Sequence, residues 1–296
     1  MMSGTNQSVA VLGMGRMGTA MASRMAAAGF RVVVWNRDRS KAEAVAGRID
    51  ADLADTAAGA SSSAEVILSS LADDAAVEAV YLGPMGVTEG VAPGSLVLET
   101  STVDPATSLK VAAAVEATGA VFADCPVSGS VSTVEAGALT VMVGGDEVIA
   151  ARAEPVLAAI AQRQIRVGAT GSGATCKLAV NSLVHGINVA LAEALVLAEK
   201  AGVSRDVAYD VFAGGAGGAP FVQYKRDAFL HPDQDTVAFS LDLVAKDLRL
   251  ITALGTRVGA PMAQADTTLG IVDDALAAGM GARDMSAIAS FLRETH

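Results

Sequence analysis

Ser8-Val-Ala-Val-Leu-Gly-Met-Gly-Arg-Met-Gly18 is the stretch whose reading decides the fold. Ser8 to Leu12 is a short apolar run that stops at glycine, the mark of a buried strand. Gly13-Met14-Gly15-Arg16-Met17-Gly18 follows with G-x-G-x-x-G spacing, and a helical pattern then runs through Ala28 to a closing Gly29. Arg31-Val-Val-Val-Trp35 is a second buried strand at the distance a strand–helix–strand unit requires. Each glycine has a task. Gly13 permits the tight turn, Gly15 lets backbone approach a pyrophosphate, and Gly18 lets helix close on strand. The helix N-terminus then faces the phosphate charge. Gly13, Met14, Gly15, Arg16, Met17 and Gly18 are therefore the expected cofactor loop of a dinucleotide-binding unit.

The end of the second strand chooses the dinucleotide. An acid there would hold the ribose 2′-hydroxyl of NAD. This chain has Asn36-Arg37-Asp38-Arg39-Ser40-Lys41 instead. Asn36 takes the place of the acid, Arg37 can stack on adenine and reach a 2′-phosphate, and Arg39 and Lys41 add positive charge. Asp38 suits a helix cap. The expected cofactor is NADP(H) in preference to NAD(H).

Further strands are expected at Glu65–Leu71, Ser95–Glu99, Ala120–Asp124, Leu139–Val143 and Gln164–Val167, with helices from Asp73 and from Pro105 to Thr118. This alternation predicts an α/β, Rossmann-type, doubly wound and mostly parallel sheet over residues 1–168. Its strand ends meet the cofactor at Gly13, Asn36, Leu71 with Ala72, Thr102 and Asp124. Thr102 can donate to the nicotinamide carboxamide or cap its own loop. After Gly168 no strand-like run survives, and residues 169–296 read as an all-α domain joined by a long interdomain helix, Ala174 to Ala201. Lys177, Asn181, His185 and Asn188 fall within an arc of roughly 80° on that helix. The rest of it is apolar almost all round, so it should be buried. A buried lysine or asparagine needs a polar partner, and the stripe reads as facing a polar cavity or being satisfied by backbone groups. His185 alone reads as a satisfied core histidine, and Cys125 and Cys176 as small packing residues.

The chain has 296 residues, 52% of them hydrophobic, and a net charge of −11, which argues against a nucleic-acid surface. The first eight residues lack the apolar core of a signal peptide, and no apolar run is expected to span a membrane. Two cysteines without C-x-x-C or metal spacing fit a reducing, cytoplasmic setting and predict no metal site.

Four ordered patterns now combine: Val11-Leu-Gly-Met-Gly-Arg-Met-Gly18; Asp124-Cys-Pro-Val-Ser-Gly-Ser130 with Ala136-Gly137; Gly171-Ser-Gly-Ala-Thr-Cys-Lys177 with Asn181; and Phe239 with Lys246-Asp247-Leu248. Together they resemble the β-hydroxyacid dehydrogenase family, which includes 3-hydroxyisobutyrate dehydrogenase and the glyoxylate and succinic semialdehyde reductases. The resemblance covers nearly the whole chain. It implies that Lys177 is the catalytic lysine, Asn181 orients the substrate, Ser128, Gly129 and Ser130 grip its carboxylate, Thr102 contacts the cofactor and Lys246 closes over it. It also implies dimers or tetramers. Ser128-Gly129-Ser130 and Trp35-Asn36-Arg37 look more like the NADPH-linked glyoxylate and succinic semialdehyde branch. Many relatives have Ser-Gly-Gly, a second asparagine at Ser182 and a proline at Ala72.

The expected chemistry is hydride transfer between NADPH and a short aldehyde- or keto-acid, with Lys177 as general acid. Alternatives are a 3-hydroxyisobutyrate dehydrogenase using NAD, an imine reductase-like enzyme, and a non-catalytic NADPH-binding module. Imine reductases generally place aspartate or tyrosine where Lys177 stands.

Overall fold

The structure, a computed structural model, describes residues 7–232 and 237–294. The chain divides into two compact units, residues 1–177 and 178–296, and the division falls inside one long helix.

The first unit runs β1 (Ser8–Leu12), α1 (Arg16–Ala27), β2 (Arg31–Trp35), α2 (Arg39–Ile49), β3 (Asp52–Leu53), α3 (Ala57–Ser62), β4 (Val66–Ser69), α4 (Asp74–Leu82), α5 (Val87–Gly90), β5 (Leu96–Glu99), α6 (Pro105–Glu116), β6 (Val121–Asp124), β7 (Val127–Ser128), α7 (Val131–Glu135), β8 (Leu139–Gly144), α8 (Glu147–Leu157) and β9 (Ala161–Gly168). The strands pair in the order β3-β2-β1-β4-β5-β6-β8-β7, with β9 on β8. Pairs from β3 through β6 are parallel, while β8 runs antiparallel to β6 and β7. This is the doubly wound sheet expected from the sequence, and its strand order reverses between β1 and β4. Alternation along β1 builds both layers. Val9 and Val11 enter one apolar core with Met21 and Met25 of α1, and Ala10 and Leu12 enter the other with Val77 and Tyr81 of α4.

Two short strands, β3 and β7, were not expected, because two residues leave no periodicity to read. β4 ends at Ser69, before the expected Leu71, and β9 starts at Ala161, before the expected Gln164.

The long helix is α9 (Ser172–Lys200). The second unit continues with α10 (Arg205–Gly214), α11 (Pro220–Tyr224), α12 (Arg226–Leu230), α13 (Leu241–Val258), α14 (Ala263–Ala277), a 3-10 turn at Met285–Ala287 and α15 (Ile288–Glu294). Its core gathers Leu191, Ala192 and Leu195 of α9 with Tyr209, Phe229, Val244, Leu248 and Ile251. A buried ion pair locks the chain just ahead of α13. Lys225 Nζ lies 2.6 and 2.8 Å from the Asp284 carboxylate, which also accepts from the backbone of Ala238, Phe239 and Ser286.

Two expectations about α9 are corrected. It is not buried all round: Leu183 is 66% and Leu197 72% exposed, because no other described residues cover that face. The expectation that no apolar run could span a membrane also fails. By length and composition α9 is long and apolar enough to do so. Those same properties describe a core helix, and the buried Asn181, His185 and Asn188 turn to polar groups of α13 and the 3-10 turn.

Candidate active site

The glycine loop is built as its spacing predicts. Gly13 has a positive φ of 96°, and Gly18 approaches so closely that a Cβ there would strike the Gly13 carbonyl. Gly15 is the N-cap of α1 and makes no side-chain cap, and a Cβ built on it would meet nothing within 4 Å. The first N–H groups of α1 thus have no side-chain cap, which suits the phosphates of a dinucleotide. Met14 is buried, whereas Arg16 is exposed and Met17 half-buried.

Asn36 holds this loop in shape. Its Oδ1 accepts from Met14 N (2.9 Å) and its Nδ2 donates to the Asp38 carbonyl (2.9 Å). Asp38 caps α2 through Ser40. Arg37 is exposed beside it. Arg39 is drawn off by Glu43 and Asp55, so of the expected basic groups Arg37 and Lys41 remain for a 2′-phosphate.

The loops after β4 and β5 are tied together. Leu71 N donates to Ser101 Oγ (2.7 Å), which sets Leu71 beside the Ser101-Thr102 turn, with Ala72 exposed next to it. Thr102 is half-buried.

Asp124, at the end of β6, anchors the start of α9. Its Oδ1 accepts from Gly171 N (2.8 Å) and its Oδ2 from Ala174 N (2.7 Å). A carboxylate there satisfies orphan N–H groups and complements the helix dipole. Burial raises its carboxyl to about 6, against the pull of the N–H bonds from Ala174 and Gly171. Gly173 must lack a side chain, since a Cβ would sit 2.5 Å from the Asp124 carbonyl. Lys177 follows on the next turn, half-buried.

Ser128 ends β7, and Gly129 has a φ of 140°. Ser130 caps α7 in a capping box: its N–H goes to Thr133 Oγ1 (3.1 Å) and its Oγ accepts from Thr133 N (3.4 Å). That N–H, expected to serve a carboxylate, is already engaged.

Within the second unit, two members of the α9 stripe, Asn181 and His185, face Asp247, fully buried on α13. Asn181 Nδ2 donates to Asp247 Oδ2 (2.6 Å), His185 Nε2 lies 3.5 Å from the same oxygen, and Lys246 Nζ lies 2.9 Å from Oδ1. Burial pushes the Asp247 carboxyl up, but the His185 ring and the Lys246 ammonium beside it outweigh it and hold it below the ordinary range. His185 is thus not the fully satisfied core histidine expected. Its Nδ1 has no hydrogen-bond partner among the described residues, and its ring stacks at 5.9 Å on Phe239. Asn188 Nδ2 donates to the Met285 carbonyl (3.0 Å). Asp247 was quoted in the sequence without a role. The signal was available, because it falls between Val244 and Ile251 on the apolar face of α13. Among the described residues no cluster of three or more His, Cys, Asp and Glu is placed to hold a metal.

A family model described as the NAD binding domain of 6-phosphogluconate dehydrogenase matches residues 8–171, and one described as the NAD-binding domain of NADP-dependent 3-hydroxyisobutyrate dehydrogenase matches residues 171–292. The chain belongs to the β-hydroxyacid dehydrogenase family. Among its relatives, glyoxylate/succinic semialdehyde reductase 1 of Arabidopsis thaliana is 32% identical, over 95% of this chain and 96% of its own. 2-(Hydroxymethyl)glutarate dehydrogenase of Eubacterium barkeri is 31% identical, over 95% and 93%. The solved structure of Mycobacterium tuberculosis 3-hydroxyisobutyrate dehydrogenase with L-serine superposes with a TM-score of 0.86 at 30% identity, covering 98% of this chain and all of that one. Members of this β-hydroxyacid dehydrogenase group are NAD(P)-dependent and act on CH–OH groups, and this chain is such an enzyme. The uncapped start of α1 over Gly15 fits the dinucleotide.

Proposed function

We propose that the chain reduces a short aldehyde- or keto-acid to its hydroxy acid with NADPH, as a glyoxylate/succinic semialdehyde reductase does. One observation carries this reading: Lys177 and Asn181 lie one turn apart on α9, and Asn181 is fixed in orientation by a buried carboxylate. When bound, the reduced nicotinamide supplies the hydride. Lys177 Nζ donates a proton to the substrate oxygen as charge builds there, and takes it back in oxidation. Asn181 orients the substrate oxygen through its carboxamide. Ser128 and Gly129 bind the carboxylate. Gly13 to Gly18 hold the pyrophosphate, with Thr102, Leu71 and Ala72 near the nicotinamide end and Lys246 as a covering group. The preference for NADPH rests on Arg37, and on Asn36 standing where NAD-binding chains carry an acid.

Exposed apolar residues, Leu183 and Leu197 on α9 and Val207 and Val211 on α10, support a homodimer or homotetramer. Two free cysteines, one buried, support a cytoplasmic setting.

The test is nicotinamide absorbance with glyoxylate, succinic semialdehyde, methylmalonate semialdehyde and a cyclic imine, each with NADPH and NADH. Turnover of an aldehyde-acid with NADPH is expected. Turnover of the imine alone would make the enzyme an imine reductase, and binding without turnover would make it a cofactor-binding module.

A further inference from the structure

Glu99 and Asp124 end adjacent strands and are partners in the parallel ladder of β5 and β6. Both are 1% exposed. Asp124 holds the start of α9, whereas Glu99 has no part in the chemistry above. Glu99 Oε1 accepts from Ser101 N (2.8 Å) and lies 3.4 Å from Ser69 Oγ, which contacts Tyr81 Oη at 2.7 Å. Through Ser101, whose Oγ accepts from Leu71 N, this carboxyl joins the two loops that carry Leu71 and Thr102. The ionisable groups facing it are Asp124 from β6, Cys125 just beyond, and Tyr81 from α4. All three are acids, and none favours its ionised form. Burial raises the Glu99 carboxyl to about 7, with the Asp124 charge adding to that and hydrogen bonds from Ser101 and Ser69 opposing it.

The two redox forms of a nicotinamide dinucleotide differ in one electrostatic respect. The oxidised ring carries a positive charge and the reduced ring is neutral, while the phosphates, riboses and adenine are the same. A buried acid whose charged neighbour among the described residues is another acid, Asp124, set between the loops expected at the nicotinamide end, is placed to respond to that difference. We propose that Glu99 senses the oxidation state of the cofactor, being more fully ionised when the oxidised form is bound than when the reduced form is bound. Binding of the oxidised cofactor therefore releases more of the Glu99 proton to solvent than binding of the reduced cofactor does. No electron moves in this step. As pH falls below neutral, the oxidised product is held less tightly and the reductive cycle is less inhibited by it. The inference rests on the dinucleotide reading of the first unit.

Isothermal titration of the full chain with NADP+ and with NADPH, in two buffers of different ionisation enthalpy, counts protons exchanged per cofactor. Groups common to both cofactors cancel in the difference. If the ring charge lowers the carboxyl by about one pH unit, NADP+ releases about 0.4 proton more than NADPH at pH 7, and its relative affinity rises about five-fold from pH 6 to pH 8. Glu99→Gln keeps an acceptor for Ser101 N and removes the proton, so both differences vanish. If that variant does not fold, infrared difference spectra of the unmodified protein read the same event, as a weaker carboxylic-acid C=O band with NADP+ than with NADPH. Equal proton counts for the two cofactors, a difference that survives Glu99→Gln, or an unchanged carboxylic-acid band each overturn the proposal. Failure of either cofactor to bind refutes the dinucleotide reading itself, and the proposal falls with it.

Discussion

Asp247→Asn keeps the shape of a buried side chain and removes the charge on which three others converge. Asn181 Nδ2 to Asp247 Oδ2, at 2.6 Å, is a charge-assisted bond worth about 1.5–3 kcal/mol, and a neutral amide acceptor leaves about 1. The Lys246 side chain is 24% exposed, so its ammonium can turn to water and its lost pairing costs at most about 1 kcal/mol. His185 loses its charged neighbour at 3.5 Å. Together these predict a loss of about 0.5–3 kcal/mol in unfolding free energy. Because the same bond orients the Asn181 carboxamide, kcat should fall by about ten-fold or more, while the dissociation constant of the cofactor changes little. Urea unfolding at pH 7 and steady-state kinetics measure both. The sign with pH is fixed by the depressed carboxyl of Asp247. Its contribution is complete above the unfolded value of about 3.9 and is lost as pH falls through the lower folded value, so the deficit should stay flat from pH 5 to pH 8 and shrink only in stronger acid. A variant within about 0.5 kcal/mol of the parent and with full turnover would refute the reasoning.

Lys177→Ala should lower kcat by a factor on the order of 10² or more and leave NADPH affinity, read by fluorescence titration, nearly unchanged. Arg37→Ala should raise KM for NADPH several-fold and hardly alter KM for NADH; equal losses would remove Arg37 from phosphate recognition. Because the folded Glu99 carboxyl is raised to about 7, its contribution to stability falls as pH rises from about 4.5 to 7, by up to about 1.4 kcal/mol per pH unit. The stability of the parent minus that of Glu99→Gln should therefore decline over that window, as followed by denaturant melts. Leu197→Glu, placed on the exposed face of α9, should shift the mass in light scattering to that of one chain without lowering the helical signal.

The sheet was legible because its information is local. Ser8–Leu12 and Arg31–Trp35 are continuous apolar runs, and the glycine spacing between them carries its own geometric reason. Asn36 and Arg37 could be read at the strand end because topology fixes where a strand end must point. β3 and β7 could not, since two paired residues owe their existence to a neighbouring strand. Nor could the fate of Arg39, which depends on Asp55 beyond the end of α2, or that of the Ser130 N–H, which the capping box takes.

The stripe on α9 shows where single-helix reasoning stops. Periodicity put Lys177, Asn181, His185 and Asn188 on one side and required something polar opposite them. It could not distinguish a cavity from a counter-charge, because that depends on a residue 66 positions away in sequence. The complementary clue lay on α13, where Asp247 sits among Val244, Leu248 and Ile251, on a face that should be wholly apolar. An acid on a buried face and an amide on a buried face each need a partner, and a chain that holds one of each on long helices can satisfy both by pairing them. Two violations of the apolar pattern, each costly alone, thus identify each other. The same logic directs attention to Glu99, an acid that closes an otherwise apolar strand and whose facing ionisable groups are all acids. With hydrogen bonds that hold its carboxyl and, among the described residues, an acid as its charged neighbour, the group's charge is left to be set by whatever binds beside it.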